Sequence, residues 1–156
     1  EVIDDGIKIS FFDAPNKEVF KADSEDFTEH GKMVFKSVGW LLARKYNEDG
    51  TRRNPYRIEL EGHTREGLRI QDDTSDSWDM STSQANIVRS ELLQHGVNTK
   101  EIVKVAGFGD TRPLQLRERS PDAEVLEGQL LVRKRILEPE DPRHRRVDIV
   151  IRTPGY

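Results

Sequence analysis

An imidazole and a hydroxyl stand together in Gly62-His63-Thr64, and a polar stretch carrying Asp72, Asp73, Asp76 and Asp79 follows before Trp78-Asp79-Met80-Ser81 opens a helix. Residues of these types can hold a polar ligand, bind a cation or move protons, and each chemistry demands its own spacing. Four carboxylates within eight residues offer the hard oxygens that calcium prefers, but they lack the alternating positions, central glycine and distal glutamate of an EF-hand. They read as a solvated acidic loop. His63 ends a strand with no second ligand evident nearby, so it reads as a hydrogen-bonded structural histidine and no metal is expected. Enzyme motifs are missing: the chain has no Gly-x-Ser-x-Gly elbow, no His-Glu-x-x-His helix and no Gly-x-x-x-x-Gly-Lys-Ser/Thr loop. Gly107-Phe108-Gly109 begins a dinucleotide fingerprint, yet Arg112 replaces its third glycine and Pro113 blocks the helix that would hold a pyrophosphate. Arg133-Lys134-Arg135 and Arg143, Arg145 and Arg146 form two basic clusters. No aromatic series accompanies them, and Glu138, Glu140 and Asp141 offset their field, which argues against nucleic acid.

Composition sets the frame for these residues. A chain of 156 residues with 34% hydrophobic and 35% charged content supports one core and a strongly hydrated surface. A net charge of −4 supplies no bulk attraction to polyanions, and the lack of cysteine excludes disulfides and thiolate chemistry. No apolar run approaches the roughly 20 residues that span a bilayer. The sequence opens on Glu1 and not on Met, which suits a processed product or an excised domain.

The elements that position these residues follow from periodicity. Ile7, Ile9 and Phe11 alternate in one or two strands over Val2 to Phe12. Asp23 or Ser24 is expected to cap a helix whose apolar face carries Phe27, Val34, Val38, Leu41 and Leu42, with Phe35 and Trp40 beside it. Ile58 and Leu60 alternate in a strand that feeds Gly62-His63-Thr64. Ser81 with Gln84 three residues on forms an expected capping box, starting a helix from Ser81 to about His95. Gly96 should stop it with Val97 packed back on Leu92. Ile102, Val103 and Val105 mark a further strand. The segment 114–143, with Val125, Leu126, Gly128, Leu130, Leu131, Val132, Ile136 and Leu137, allows either an interrupted helix or an added hairpin. Val147, Ile149 and Ile151 alternate in a last strand closed by Pro154-Gly155. The order predicts an α/β sandwich of the α+β type: one domain over 1–156, a mixed sheet of about four strands with helices on one face, and 114–143 as a variable insertion.

Four motifs in this order carry a family resemblance. Leu60-Glu61-Gly62-His63-Thr64, Trp78-Asp79-Met80-Ser81-x-x-Gln84-Ala85, Gly107-Phe108-Gly109-x-x-x-Pro113 and His144-Arg145-Arg146-Val147 resemble the signature segments of OmpA-like peptidoglycan-binding domains. Asp5-Gly6-Ile7-Lys8-Ile9 and Val19-Phe20-Lys21-Ala22-Asp23-Ser24 resemble, within that family, the periplasmic part of MotB-type flagellar stator proteins. The resemblance implies a non-catalytic, cofactor-free periplasmic module. Such a module is a homodimer tethered to the inner membrane through an N-terminal helix, and it holds the diaminopimelate arm of the peptidoglycan stem peptide. In the family an Asp after Gly-His-Thr meets the ligand's ammonium and an Arg in the next helix meets its carboxylate. This chain has Arg65 and Gln84 at those positions, Ser77 for a usual Asn, and His144 for the Asn before the paired arginines. The implied ligand residues are therefore His63, Thr64, Arg65, Ser77, Asp79, Gln84, Arg145 and Arg146. Two readings stand: a rebuilt site in which one of Asp72, Asp73, Asp76 or Asp79 meets the ammonium and Arg65 or Arg145 the carboxylate, or a fold that has lost the ligand and serves dimerisation or protein docking.

Overall fold

The structure is a computed structural model that describes residues 1–22, 24–66, 76–119 and 132–152. Strands β1 (Val2–Ile3), β2 (Gly6–Phe12), β3 (Arg57–His63), β4 (Ile102–Gly107) and β7 (Arg146–Arg152) form one mixed sheet in the order β1-β2-β7-β3-β4. β7 lies antiparallel between β2 and β3, while β3 and β4 run parallel. The expected mixed sheet is thus present, with five strands. Helices α1 (Glu29–Leu42) and α2 (Ser77–Gln94) supply the apolar layer. Strand alternation divides the sheet: Ile58 and Leu60 with Val147, Ile149 and Ile151 join Phe35, Val88 and Leu92 in the core. His63, paired with Arg146, and Glu61, paired with Asp148, belong to the opposite set of residues. That face carries charge where the other carries the core.

The first helix starts later than the sequence suggests. Its cap is Thr28, whose Oγ1 accepts from the Gly31 N–H at 3.0 Å and donates to the Glu18 carbonyl at 2.6 Å. Ser24 lies upstream because Phe27 bridges back to Phe20, which keeps residues before Thr28 out of helical geometry; Asp23 is outside the described residues. The buried stripe is Gly31, Phe35, Gly39 and Leu42, narrower than the expected face, and Trp40 and Leu41 are each 58% exposed. Phe27 is buried from the preceding loop and not from the helix. Thr28→Ala should lower unfolding free energy by about 1 kcal/mol, the usual cost of losing such a cap, as read from the urea midpoint.

The second helix also corrects an expectation. It is capped by Asp76, whose Oδ1 accepts from the Trp78 and Asp79 N–H groups at 2.8 and 3.0 Å, while Asp79 reaches back to the Asp76 N–H at 3.5 Å. The capping box is therefore Asp76 with Asp79, five residues before the expected box of Ser81 with Gln84. Ser81 is fully buried inside the helix, where its hydroxyl donates to the Trp78 carbonyl and accepts from the Gly109 N–H at 2.9 Å. That hydroxyl ties α2 to the loop after β4, so a tertiary demand overrides the local pattern. The far end is as expected: Gly96 has φ of 97°, its N–H reaches the Leu93 carbonyl and the Val97 N–H reaches the Leu92 carbonyl, both at 3.1 Å. This is the Schellman pairing.

Of the two options for 114–143, the hairpin holds: β5 (Gln115–Arg119) pairs antiparallel with β6 (Val132–Ile136) in a separate two-stranded sheet. Val125, Leu126, Gly128, Leu130 and Leu131 lie outside the described residues, as do Asp72, Asp73 and the Pro154-Gly155 stop. Both ends of the segment are latched by buried His144, whose Nδ1 accepts from the Leu114 N–H and whose Nε2 faces the Glu138 carbonyl, each at 2.9 Å. One ring accepting on Nδ1 and donating from Nε2 is a neutral imidazole of defined tautomer.

Candidate ligand site at the strand ends

The sequence-predicted residues gather where β3, α2 and the loop after β4 meet. Gly62 packs against the Ser81 backbone and Gly107 against Ser81 and Thr82, with no room for a side chain at either position. Beyond them the Thr64 N–H donates to the Gly109 carbonyl at 2.8 Å. Thr64 and Gln84 are both buried, and Thr64 Oγ1 and Gln84 Oε1 have no hydrogen-bond partner. The Gln84 amide nitrogen is 3.4 Å from the Ser24 carbonyl. Gln84 is thus free of the capping role that the sequence suggested. An unpaired buried acceptor costs about 1–3 kcal/mol, so this is a position where a ligand N–H would be welcome. Arg65, half-buried, makes no hydrogen bond or ion pair with a described residue, unlike the other guanidiniums of the site.

Other predicted residues serve the fold. Asp76 and Asp79 are engaged in the helix cap, and Ser77 begins the helix with Gly109 packed on its hydroxyl. Arg145 turns towards the loop after β2: its Nε meets Asp13 Oδ2 at 2.6 Å, and its two amino groups donate to the Lys21 and Phe20 carbonyls at 3.0 and 3.1 Å. Asp13 in turn accepts from the Val19 N–H at 2.7 Å. Arg145 is a clamp on that loop and is not available to a carboxylate ligand.

Arg146 points the other way, onto the charged face. Its Nε lies 3.1 Å from Asp148 Oδ1, and it donates to the His144 and Arg112 carbonyls. His63 Nε2 stands 3.3 Å from Asp148 Oδ2. Phe108 stacks on the His63 ring at 5.5 Å between centroids, and the Arg112 guanidinium lies 3.5 Å over Phe108. Burial pushes the His63 pKa below its usual value against the pull of Asp148, so the ring is neutral at pH 7. Burial would raise the Asp148 carboxyl, but His63 and Arg146 overcome it and hold the pKa at about 2. A cavity of about 520 Å³ opens beside this cluster, lined by Lys8, Ser10, Glu61, Arg112, Arg146 and Asp148 among others.

Glu61, Asp148, Asp13 and Phe108 were not among the predicted site residues. Period-two spacing was the available signal for two of them, since Glu61 shares a strand face with His63 and Asp148 shares one with Arg146. No spacing along the chain announces the Asp13–Arg145 pair, 132 residues apart.

The comparisons with known proteins agree with this fold. The OmpA family model matches residues 19–125. Motility protein B of Escherichia coli K12 is 26% identical over 126 residues, which cover 80% of this chain and 37% of that protein; the chain spans little more than a third of the curated relatives it matches. The periplasmic domain of Helicobacter pylori MotB superposes over 99% of this chain and 81% of its own with a TM-score of 0.67 at 17% identity. A putative MotB like protein from Desulfovibrio vulgaris covers 96% of this chain and 74% of its own with a TM-score of 0.63, also at 17% identity. These two structures share the fold.

Proposed function

The chain belongs to the OmpA family, and from that premise we propose that it is a non-catalytic cell-wall anchoring domain, comparable to the periplasmic part of a MotB-type flagellar stator protein. Its ligand is the peptidoglycan stem peptide, and it works in the periplasm as a homodimer tethered to the inner membrane by a segment outside the present chain. The observation that carries this reading is the pair of buried, unpartnered oxygens of Thr64 and Gln84, with Arg65, next to Thr64 in the chain, having no partner among the described residues. Gln84 Oε1 accepts from the ligand's ammonium in place of a carboxylate, and Arg65 takes its carboxylate with charge-assisted hydrogen bonds. Asp76, Asp79 and Arg145, whose groups already cap α2 or clamp the loop after β2, stay out of the contact.

The test is sedimentation of the purified domain with insoluble sacculi that contain diaminopimelate. The unmodified chain should pellet, and Arg65→Ala should weaken its retention at least about tenfold, the value of one hydrogen bond to a charged group. The second reading, a docking module without this ligand, is favoured by the placement of a cation, Arg65, where the family has an acid. It becomes the conclusion if the chain stays in the supernatant under conditions that pellet the corresponding domain of Escherichia coli Motility protein B, provided it still dimerises without ligand.

A further inference from the structure

We infer that Glu61, His63 and Asp148, on the charged face of the sheet, form a divalent-cation site of zinc type, separate from the stem-peptide contact. One ligand atom from each lies within 4.8 Å of the others, without any backbone change. The His63–Asp148 separation of 3.3 Å matches the edge of a tetrahedron with metal bonds of about 2.0–2.1 Å, which is about 3.4 Å. Glu61, whose ligand oxygen lies within 4.8 Å of the other two ligand atoms, completes the set by a side-chain rotation, and a fourth position opens to the cavity.

Two further observations point to a ligand there. His63 is 1% exposed; its Nδ1 has no hydrogen-bond partner, and its Nε2 meets Asp148 Oδ2 at 3.3 Å outside good hydrogen-bond geometry, although buried imidazoles are normally satisfied. Each carboxylate has one oxygen held closely by a cation, Asp148 Oδ1 by Arg146 Nε at 3.1 Å and Glu61 Oε1 by Lys104 at 2.7 Å, while the same Arg146 Nε lies 3.3 Å from Asp148 Oδ2 and Arg112 lies 3.8 Å from Glu61 Oε2. Such outer contacts fix a ligand's orientation, and Arg112, 55% exposed, has room to swing away from Glu61 Oε2. Lys8 Nζ, 3.8 Å from Asp148 Oδ2 and a third exposed, is the group a bound cation displaces into solvent. Imidazole with two carboxylates suits zinc better than calcium or magnesium, which prefer oxygen alone.

Isothermal titration of the metal-stripped 156-residue chain with Zn2+ tests this, alongside thermal unfolding with and without the ion. One saturable site per chain is expected, with a rise in Tm of several degrees when zinc exceeds its dissociation constant a hundredfold. Glu61→Gln should weaken binding at least tenfold, and Lys8→Ala, which removes the competing cation, should tighten it severalfold. Asp148→Asn and His63→Ala carry a risk of misfolding, whereas Glu61 and Lys8 sit at the cavity edge and keep the test readable. The inference is overturned if the chain takes up no zinc at one equivalent. It is equally overturned if Glu61→Gln and Lys8→Ala leave the affinity unchanged, since the ion is then held by His30, His95 or His144. Sedimentation with sacculi is independent of both outcomes.

Discussion

Gly62→Ala should cost about 3 kcal/mol or more and abolish sedimentation with sacculi, even though residue 62 offers no side chain to any ligand. A methyl group there overlaps the Ser81 carbonyl oxygen, with the Ser81 carbonyl carbon and Cα close behind, so the clash is with backbone. No rotamer relieves it. Either β3 or α2 must move, and overpacking of this kind typically costs 1–3 kcal/mol when side chains alone can yield. Displacement of α2 breaks the bond from the Gly109 N–H to Ser81 Oγ and moves Gln84, which α2 carries, relative to β3. Unfolding by urea gives the first number and the sacculi assay the second. A variant with unchanged midpoint and retention would show that β3 and α2 do not need this contact.

The second large effect lies under the charged face. Asp148→Ala leaves Arg146 buried beside an apolar residue, and loss of one partner from a buried ion pair costs about 3–5 kcal/mol. Combining Asp148→Ala with Arg146→Met should recover a substantial part of that loss, because the pair's own attraction largely offsets its desolvation. Recovery should stop short of the wild type: Arg146 also donates to the His144 and Arg112 carbonyls, which methionine cannot satisfy. A double variant less stable than the sum of the two single losses would contradict this account of the pair.

Much of this fold is legible in the sequence because its strands have two unlike faces. Alternation of Ile58 and Leu60 with Arg57 and Glu59, and of Val147, Ile149 and Ile151 with Arg146, Asp148 and Arg152, interrupted by Val150, identifies strands and their inner sides. The stop at Gly96 is equally local, since one left-handed glycine and two backbone bonds define it. The helix starts are less legible. Ser81 with Gln84 and Asp76 with Asp79 have the same four-residue form, and what separates them is that the Gly109 N–H needs the Ser81 hydroxyl. A partner 28 residues away cannot be read from spacing. Arg145 and Arg146 show the same limit at the site, because adjacent residues on an extended chain diverge, one to Asp13 and the other to Asp148. The family resemblance assigns both to one ligand, whereas alternation sends them to different places.

The position of β7 has a kinetic meaning. It is the last described strand, yet it occupies the centre of the sheet and pairs with β2 from Gly6–Arg152 to Phe12–Arg146. A nascent chain that has reached β4 holds β2 and β3 with an empty slot between them, exposing Ile9, Ile58 and Leu60 along two unsatisfied edges. Only the arrival of residues 146–152 zips β2 to β3. Such long-range closure predicts slow folding, on the millisecond-to-second scale of non-local topologies, and no stable intermediate lacking the C-terminal strand. A proteolytic cut just before Arg146 would therefore release the keystone and not a tail.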